Sequence, residues 1–172
     1  MRQLQSETRH ETGYGRASCR QRCRASLHAG SRPLCGYGLL LTAAGERPVG
    51  DLRPGDRVIS RDCGMVTVRG LTRQHRCVPL VRIRAGSLGH RRQERDVILP
   101  AGQRVLLRDW RAQALFGRAR VLVAAARLVD GEFVTHAGTG TIELCDPDLG
   151  ALHILYLDGL EVASNARDAL VA

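Results

Sequence analysis

Short apolar runs separated by turn residues fill the chain from Leu34 onward, and this pattern limits the fold more than any other feature. Residues 80–85 alternate apolar and charged side chains, with the period of two that a half-buried strand requires. In Pro54-Gly55-Asp56, proline fixes φ and glycine can take the positive φ of a type II turn. Further strands are predicted at residues 39–42, 57–60, 65–71, 97–99, 104–107, 120–123, 132–136, 141–144, 153–157 and 160–163. A single helical turn is predicted at 124–128, so the sequence indicates an all-β domain of many short strands.

The first 33 residues differ from the rest of the chain. They are polar, rich in Arg, Ser and Gly, and have almost no apolar periodicity. Such a segment buries too little apolar surface to offset the entropy lost on ordering it. We therefore expect a disordered, Arg-rich tail at residues 1–33, followed by one domain at 34–172 that is long enough to bury its own core.

The cysteine spacing gives little indication of a metal site. In the tail, Cys19 and Cys23 are close in sequence, and His10 and His28 lie nearby. The segment lacks the turn and apolar residues that would hold four ligands in place. We expect no metal and no cofactor.

Charge and aromatic content narrow the range of partners. The formal charge is +9, and all 26 basic residues are arginine. An Arg-rich face around Arg82, Arg84, Arg91 and Arg92 would suit an acidic protein partner. Aromatic residues make up only 3% of the chain, too few for the stacking platforms of a single-strand nucleic-acid binder. No zinc-finger, RNP or helix-turn-helix pattern is present, and we expect no nucleic-acid binding.

Neither a membrane span nor a secretory signal is visible in the sequence. The longest apolar stretch, residues 121–129, is short and is interrupted by Arg127. The N-terminus has no apolar h-region. We expect a soluble chain without membrane contact, cytoplasmic by default.

Residues 35–58 read CGYGLLLTAAGERPVGDLRPGDRV and resemble the opening of bacterial Hint (hedgehog/intein-type) domains. Those domains begin with Cys, pass through T-x-x-G-x-x-P-V-x-x-L and reach L-x-x-G-D-x-V. Residues 81–89, 95–106 and 121–131 are similar to later family segments, and 153–166 are a weaker match. The matches follow the order of the family. The resemblance implies a compact all-β Hint-type fold that brings the first cysteine beside the C-terminal strands.

The resemblance also implies a chemistry. In the family, the first cysteine attacks the carbonyl carbon of the preceding residue and converts the peptide bond into a thioester, which a second nucleophile or water cleaves. Cys35 would be this nucleophile and Leu34–Cys35 the scissile bond. An active domain would therefore have its own N-terminal flank as its substrate.

The chain departs from the family where the general acid belongs. The family uses a histidine to protonate or orient the leaving amide, and Gln103 stands in its place, with Pro100 where a hydroxyl residue belongs. Glutamine has no proton to exchange near neutral pH. Loss of a general acid typically lowers the rate by a factor of about 100 to 10,000.

The C-terminal motifs are altered as well. Many relatives have a histidine where this chain has Leu160, and the segment containing Asn165 lacks both the preceding histidine and the following nucleophile of splicing members. Full splicing is therefore not expected. Asp158 or His153 could substitute for the missing acid, although a histidine on a strand is more often structural.

Three interpretations follow. The leading one is a degenerate Hint domain, derived from a cysteine-dependent autoprocessing module and weakly active or inactive. The second is a non-enzymatic β module that binds or scaffolds through its Arg-rich face. The third is an active autoprotease that cleaves Leu34–Cys35 through a thioester.

Overall fold

The computed structural model describes residues 33–88 and 93–165. Apart from Pro33, the tail that the sequence predicts to be disordered lies outside the described residues. The strands are β1 (Leu34–Cys35), β2 (Leu39–Thr42), β3 (Gly45–Pro48), β4 (Arg57–Ser60), β5 (Gly64–Thr67), β6 (Gly70–Ile83), β7 (Val97–Pro100), β8 (Arg104–Leu107), β9 (Val121–Ala124), β10 (Val134–Asp148), β11 (Ile154–Leu157) and β12 (Leu160–Ala163). One α-helix, α1 (Trp110–Phe116), and 3-10 turns at Val49–Asp51 and Ala125–Leu128 complete the described part. The all-β prediction is confirmed.

The strands form two antiparallel sheets. The first has the order β1-β10-β6-β7, and the second has the order β3-β2-β4-β11-β12-β8-β9, with β5 paired to β4. Strand β11 pairs with β2, β4 and β12, so it joins the N-terminal strands to the C-terminal hairpin. This topology brings the start of the domain beside its end.

Strands β6 and β10 are much longer than the sequence predicts. The sequence predicts separate strands at 132–136 and 141–144, but residues 134–136 and 141–144 both lie in β10, which continues past a register shift between His136 and Thr139. Conversely, segment 65–71 divides between β5 and β6. The reason is burial. Apolar and charged residues alternate near Val81 and Ile83 because these two side chains are buried. Most other residues of the ribbon formed by β6 and β10 are partly or fully exposed on both faces, so their sequence shows no alternation of apolar and polar residues.

The helix α1 was not predicted from the sequence. Its side chains are mostly exposed and only Ala112 is buried, so no apolar period marks it. The ends do have local signals. The Asp109 carboxylate accepts a hydrogen bond from the Arg111 N–H at 3.0 Å, and Gly117 ends the helix in the left-handed region with φ of 64°. These are ordinary capping residues, and they define a helix of only seven residues.

The core is built from aliphatic side chains of both sheets, as the scarcity of aromatic residues requires. The largest fully buried ones are Leu34, Leu40, Leu52, Ile83, Leu99, Leu155, Leu157 and Leu160. Each such side chain contributes about 1.5–3 kcal/mol relative to an exposed position. Leu34 is the residue that precedes the candidate nucleophile, so the start of the domain is anchored in the core.

The predicted Pro54-Gly55 turn is confirmed. Gly55 has φ of +95°, and the Asp56 N–H donates to the Arg53 carbonyl oxygen at 3.0 Å, closing the turn. Only glycine adopts this φ without strain. The turn leads into β4, which pairs with β2 and β11.

Within residues 33–88 and 93–165, no helix has the length and apolar character to span a membrane.

Candidate functional site

Cys35 lies on β1, where Leu34 is paired with Cys145 and Cys35 with Leu144 of β10. Leu34 and Cys35 are both completely buried. The chain then passes very close to β10, because a Cβ atom at Gly36 would come within 2.6 Å of the Glu143 carboxylate. The Leu34–Cys35 peptide is therefore held in a sheet and shielded from solvent.

Burial determines the protonation state of the candidate nucleophile, Cys35. It raises the pKa of the Cys35 thiol to about 11, and a hydrogen bond with the Tyr37 side chain offsets only part of this effect. At pH 7 about one such thiol in 10,000 is ionised, and the thiolate is the reactive form. Tyr37 was missed from the sequence, although it lies only two residues beyond Cys35. Its hydroxyl also donates to the Ile98 carbonyl oxygen at 3.3 Å.

Gln103 is buried, with 2% of its surface exposed. Its Nε2 atom donates a hydrogen bond to the Ala163 carbonyl oxygen at 3.0 Å, and its own backbone N–H donates to the Pro100 carbonyl oxygen at 2.9 Å. Among the described residues, its Oε1 atom has no hydrogen-bond partner. The Gln103 side chain, which the resemblance aligns with the family's histidine, is thus fixed by a structural contact with the end of β12.

Asp158 lies in the turn between β11 and β12, and it is the described non-glycine residue with positive φ, at 48°. Its backbone N–H donates to the Leu39 carbonyl oxygen at 2.8 Å, and its carboxylate accepts from the Leu39 N–H at 3.3 Å. Burial raises the pKa of this carboxyl, and its negative charge adds to the raised pKa of Cys35. A Cβ atom at Gly38, three residues after Cys35, would lie 3.2 Å from the Asp158 carboxylate, so the fold brings Asp158 close to the candidate nucleophile.

His153 precedes β11, at the opposite end of that strand from Asp158, roughly 16 Å away along an extended chain. It is 8% exposed, and its Nδ1 atom lies 2.7 Å from Oδ2 of Asp62. Asp62, Cys63 and His153 each place one possible metal-ligand atom within 4.8 Å of the others. Sequence reasoning missed this cluster because only the pairing of β4 with β11 brings residues so far apart in the chain together.

Asn165 is the last described residue and directly follows β12 and Ser164. Its side-chain amide donates to the Asp146 carboxylate at 2.8 Å, so it contacts β10 one residue beyond Cys145.

Of the four arginines of the predicted Arg-rich face, Arg82 and Arg84 are exposed, whereas Arg91 and Arg92 lie outside the described residues.

The described residues form an all-β domain with the fold of inteins, and Cys35 lies on its first strand. The MchDnaB-1 intein is similar over 77% of this chain and 99% of its own, with a TM-score of 0.50 and 15% identity. A splice-inactive, GSH-linked variant of the AceL NrdHF class 3 split intein has a TM-score of 0.50 and 12% identity over 78% of this chain and 97% of its own. A bacterial intein-like domain from Clostridium thermocellum has a TM-score of 0.48 and 14% identity over 78% and 98% of the two chains.

At the level of sequence, the Hint domain family matches residues 36–168, which is more than half of the chain. The chain belongs to the Hint domain family. A comparison with curated proteins gave no match. Family membership and fold together define a module of the autoprocessing type, as the resemblance at residues 35–58 implied.

Proposed function

We propose that this protein is a degenerate Hint domain, derived from a cysteine-dependent autoprocessing module, in which cleavage at Leu34–Cys35 is weak or absent. The observation that carries the proposal is the position of Gln103. Its amide nitrogen donates to the Ala163 carbonyl oxygen at 3.0 Å, and an amide has no proton to transfer at neutral pH. The amide nitrogen of Cys35 would have to leave without a general acid.

The state of Cys35 supports the same conclusion. A buried thiol with a pKa of about 11 is protonated at neutral pH, and neither Gln103 nor the protonated Tyr37 can remove its proton. Burial raises the pKa of Tyr37 as well. Gln103 and Tyr37 therefore supply neither of the proton transfers that thioester formation needs, the one from the thiol and the one to the leaving amide.

Asp158 is the residue that supports the rival function, an active autoprotease. Its carboxyl is partly buried, its pKa is raised, and its charge acts on Cys35. These are properties of a carboxyl that serves as a general acid. Its hydrogen bond from Leu39 and its ion pair with Arg95 at 3.5 Å stabilise the charged form, however, and favour a structural role in the hairpin.

An intact-mass measurement on the purified chain tests the proposal. The degenerate domain keeps its full mass during prolonged incubation with and without a small thiol. An active autoprotease loses residues 1–34, and thiol accelerates the loss because it captures the thioester. Cys35→Ala is the control, since cleavage by a contaminating protease persists in that variant. Cys35-dependent loss of residues 1–34 would overturn the proposal.

A further inference from the structure

Asp62, Cys63 and His153 lie outside the site around Cys35 and form a separate cluster at the other end of β11. The thiol of Cys63 donates to Oδ2 of Asp62 at 3.5 Å, and Nδ1 of His153 lies 2.7 Å from the same oxygen. The set offers one sulfur, one nitrogen and one oxygen ligand. We propose that these three side chains form a binding site for a borderline-soft divalent metal, Zn²⁺ by its ligand chemistry, with a coordination position left for water.

The backbone around the cluster is fixed by hydrogen bonds from several elements. The Ile154 N–H donates to Oδ1 of Asp62 at 3.0 Å, which leaves Oδ2 directed at His153. The Cys63 N–H donates to the Ser60 hydroxyl at 3.1 Å and fixes the turn between β4 and β5. The turn therefore holds the backbone of both adjacent ligands and the carboxylate of Asp62 in place before any metal binds.

The third ligand is held equally firmly. The His153 N–H donates to the Ser164 hydroxyl at 2.8 Å, and the Ser164 N–H donates to the His153 carbonyl oxygen at 2.8 Å. The imidazole is largely buried, whereas Asp62 and Cys63 are exposed. A metal can enter from the solvent side, bind the buried nitrogen and keep water as its remaining ligand.

The distances suit a small metal ion. Zinc binds nitrogen and oxygen at about 2.0–2.2 Å and sulfur at about 2.3 Å, so its ligands lie roughly 3.3–3.8 Å from one another in a tetrahedral site. All three ligand atoms here lie within 4.8 Å of each other. Binding requires the 2.7 Å contact between His153 and Asp62 to widen by about 0.6 Å and the exposed Cys63 side chain to rotate.

Cys63 is the residue that separates a metal site from a simple structural contact. The pair of Asp62 and His153 alone suffices to attach the β4–β5 turn to β11 through a hydrogen bond. It does not require a thiol beside it, and a turn position next to glycine accepts many polar residues. Sulfur and imidazole together select zinc or cobalt over magnesium and calcium, which prefer oxygen ligands.

Cobalt is the appropriate probe, because a thiolate bound to Co²⁺ gives an intense near-ultraviolet absorption. We expect the full chain to bind one equivalent of Co²⁺ with this absorption and to release it when Zn²⁺ is added. Cys63→Ser should abolish the band, and His153→Gln should weaken binding by at least the roughly 10- to 100-fold that loss of a residue supporting a metal ligand causes. Zn²⁺ should raise the melting temperature of the parent chain but not that of Cys63→Ser.

Two controls identify the source of the thiolate. The triple variant Cys19→Ser, Cys23→Ser, Cys77→Ser removes the tail cysteines together with Cys77, which is disulfide-bonded, and Cys145→Ala removes a buried free thiol on β10. Both should retain the cobalt band. Circular dichroism establishes that each variant is folded, and Cys63 is exposed, so its replacement by serine should leave the fold intact. A band that survives Cys63→Ser, or an absence of binding to the parent chain, would overturn the proposal.

Discussion

The side-chain amide of Gln103 donates a hydrogen bond to the Ala163 carbonyl oxygen at 3.0 Å, linking the turn before β8 to the last residue of β12. The sequence resemblance implies that active relatives have a histidine at this position, which protonates or orients the amide of the scissile bond. Here the side chain is used for structure, and its Oε1 atom is buried without a partner among the described residues. An unpaired buried polar atom costs about 1–3 kcal/mol. Gln103 thus combines a structural hydrogen bond with one buried amide oxygen that has no partner among the described residues.

Gly55→Val should destabilise the domain by about 1 kcal/mol or more, because a β-branched residue resists positive φ. Gly55 has φ of +95°, and a Cβ atom there would meet no atom within 4 Å, so the penalty comes from backbone strain. Urea denaturation measures the change. Gly70→Val is the matched control, since Gly70 has equal space but no positive φ. Equal stability of the two variants would contradict the turn assignment.

Asp158→Asn should change the free energy of unfolding by no more than about 0.5 kcal/mol, because asparagine tolerates left-handed backbone and keeps an oxygen for the Leu39 N–H. The lost ion pair involves Arg95, which is mostly exposed, and such pairs contribute little. Asp158→Val should cost about 1–2 kcal/mol through its φ of 48°. If Asn proves as harmful as Val in thermal unfolding, the charge of Asp158 matters more than its backbone.

Alkylation by iodoacetamide reports on the Cys35 thiol. Exposed Cys63 should react first, while buried Cys35 and Cys145 should react much more slowly in the folded protein than after unfolding. Because Cys35 has a pKa of about 11, its native-state rate should rise about tenfold per pH unit from pH 7 to 10. Mass spectrometry of digested samples resolves the sites. A plateau near pH 8.5, the ordinary pKa of a cysteine, would mean that the thiol reacts only after local opening.

The same pKa has a consequence for stability at alkaline pH. The folded-state pKa of Cys35 lies above the ordinary value, so the contribution of the buried thiol is fully present below pH 9 and is lost as pH rises towards 11. Burial also raises the pKa of Cys145 to about 11. The free energy of unfolding should fall more steeply between pH 9 and 11 in the parent than in a Cys35→Ala, Cys145→Ala variant. Parallel curves would contradict the raised values.

Sequence patterns predicted the strands whose alternate residues face the core. Segments 39–42, 57–60, 104–107 and 160–163 match β2, β4, β8 and β12. They could not predict where β10 continues through its register shift, because ribbon residues partly or fully exposed on both faces show no alternation. The short helix α1 was not predicted for a related reason. Ala112 is its one buried residue, so the sequence shows no helical period of apolar residues between the two caps.

For the candidate site, Cys35 and Gln103 are predictions from the family resemblance, because each occupies a fixed position in a family segment. Their surroundings depend on long-range pairing. The contact of Gln103 with Ala163 exists because β8 pairs with β12, and the cluster of Cys63 and His153 exists because β4 pairs with β11. No local sequence pattern specifies which residues of these distant strands pair, so neither contact could be predicted from the sequence alone.

Restoring the general acid is the most direct test of the central claim that Gln103 disables the site. Gln103→His should increase cleavage at Leu34–Cys35, measured as loss of residues 1–34 by mass spectrometry in the presence of thiol. Pro100→Thr with Gln103→His should increase it further, because Pro100 closes the turn that carries residue 103. Cleavage must vanish when Cys35→Ala is added. If the unmodified chain cleaves itself at this bond, or if the double variant stays intact with thiol present, Gln103 is not the residue that disables this Hint domain.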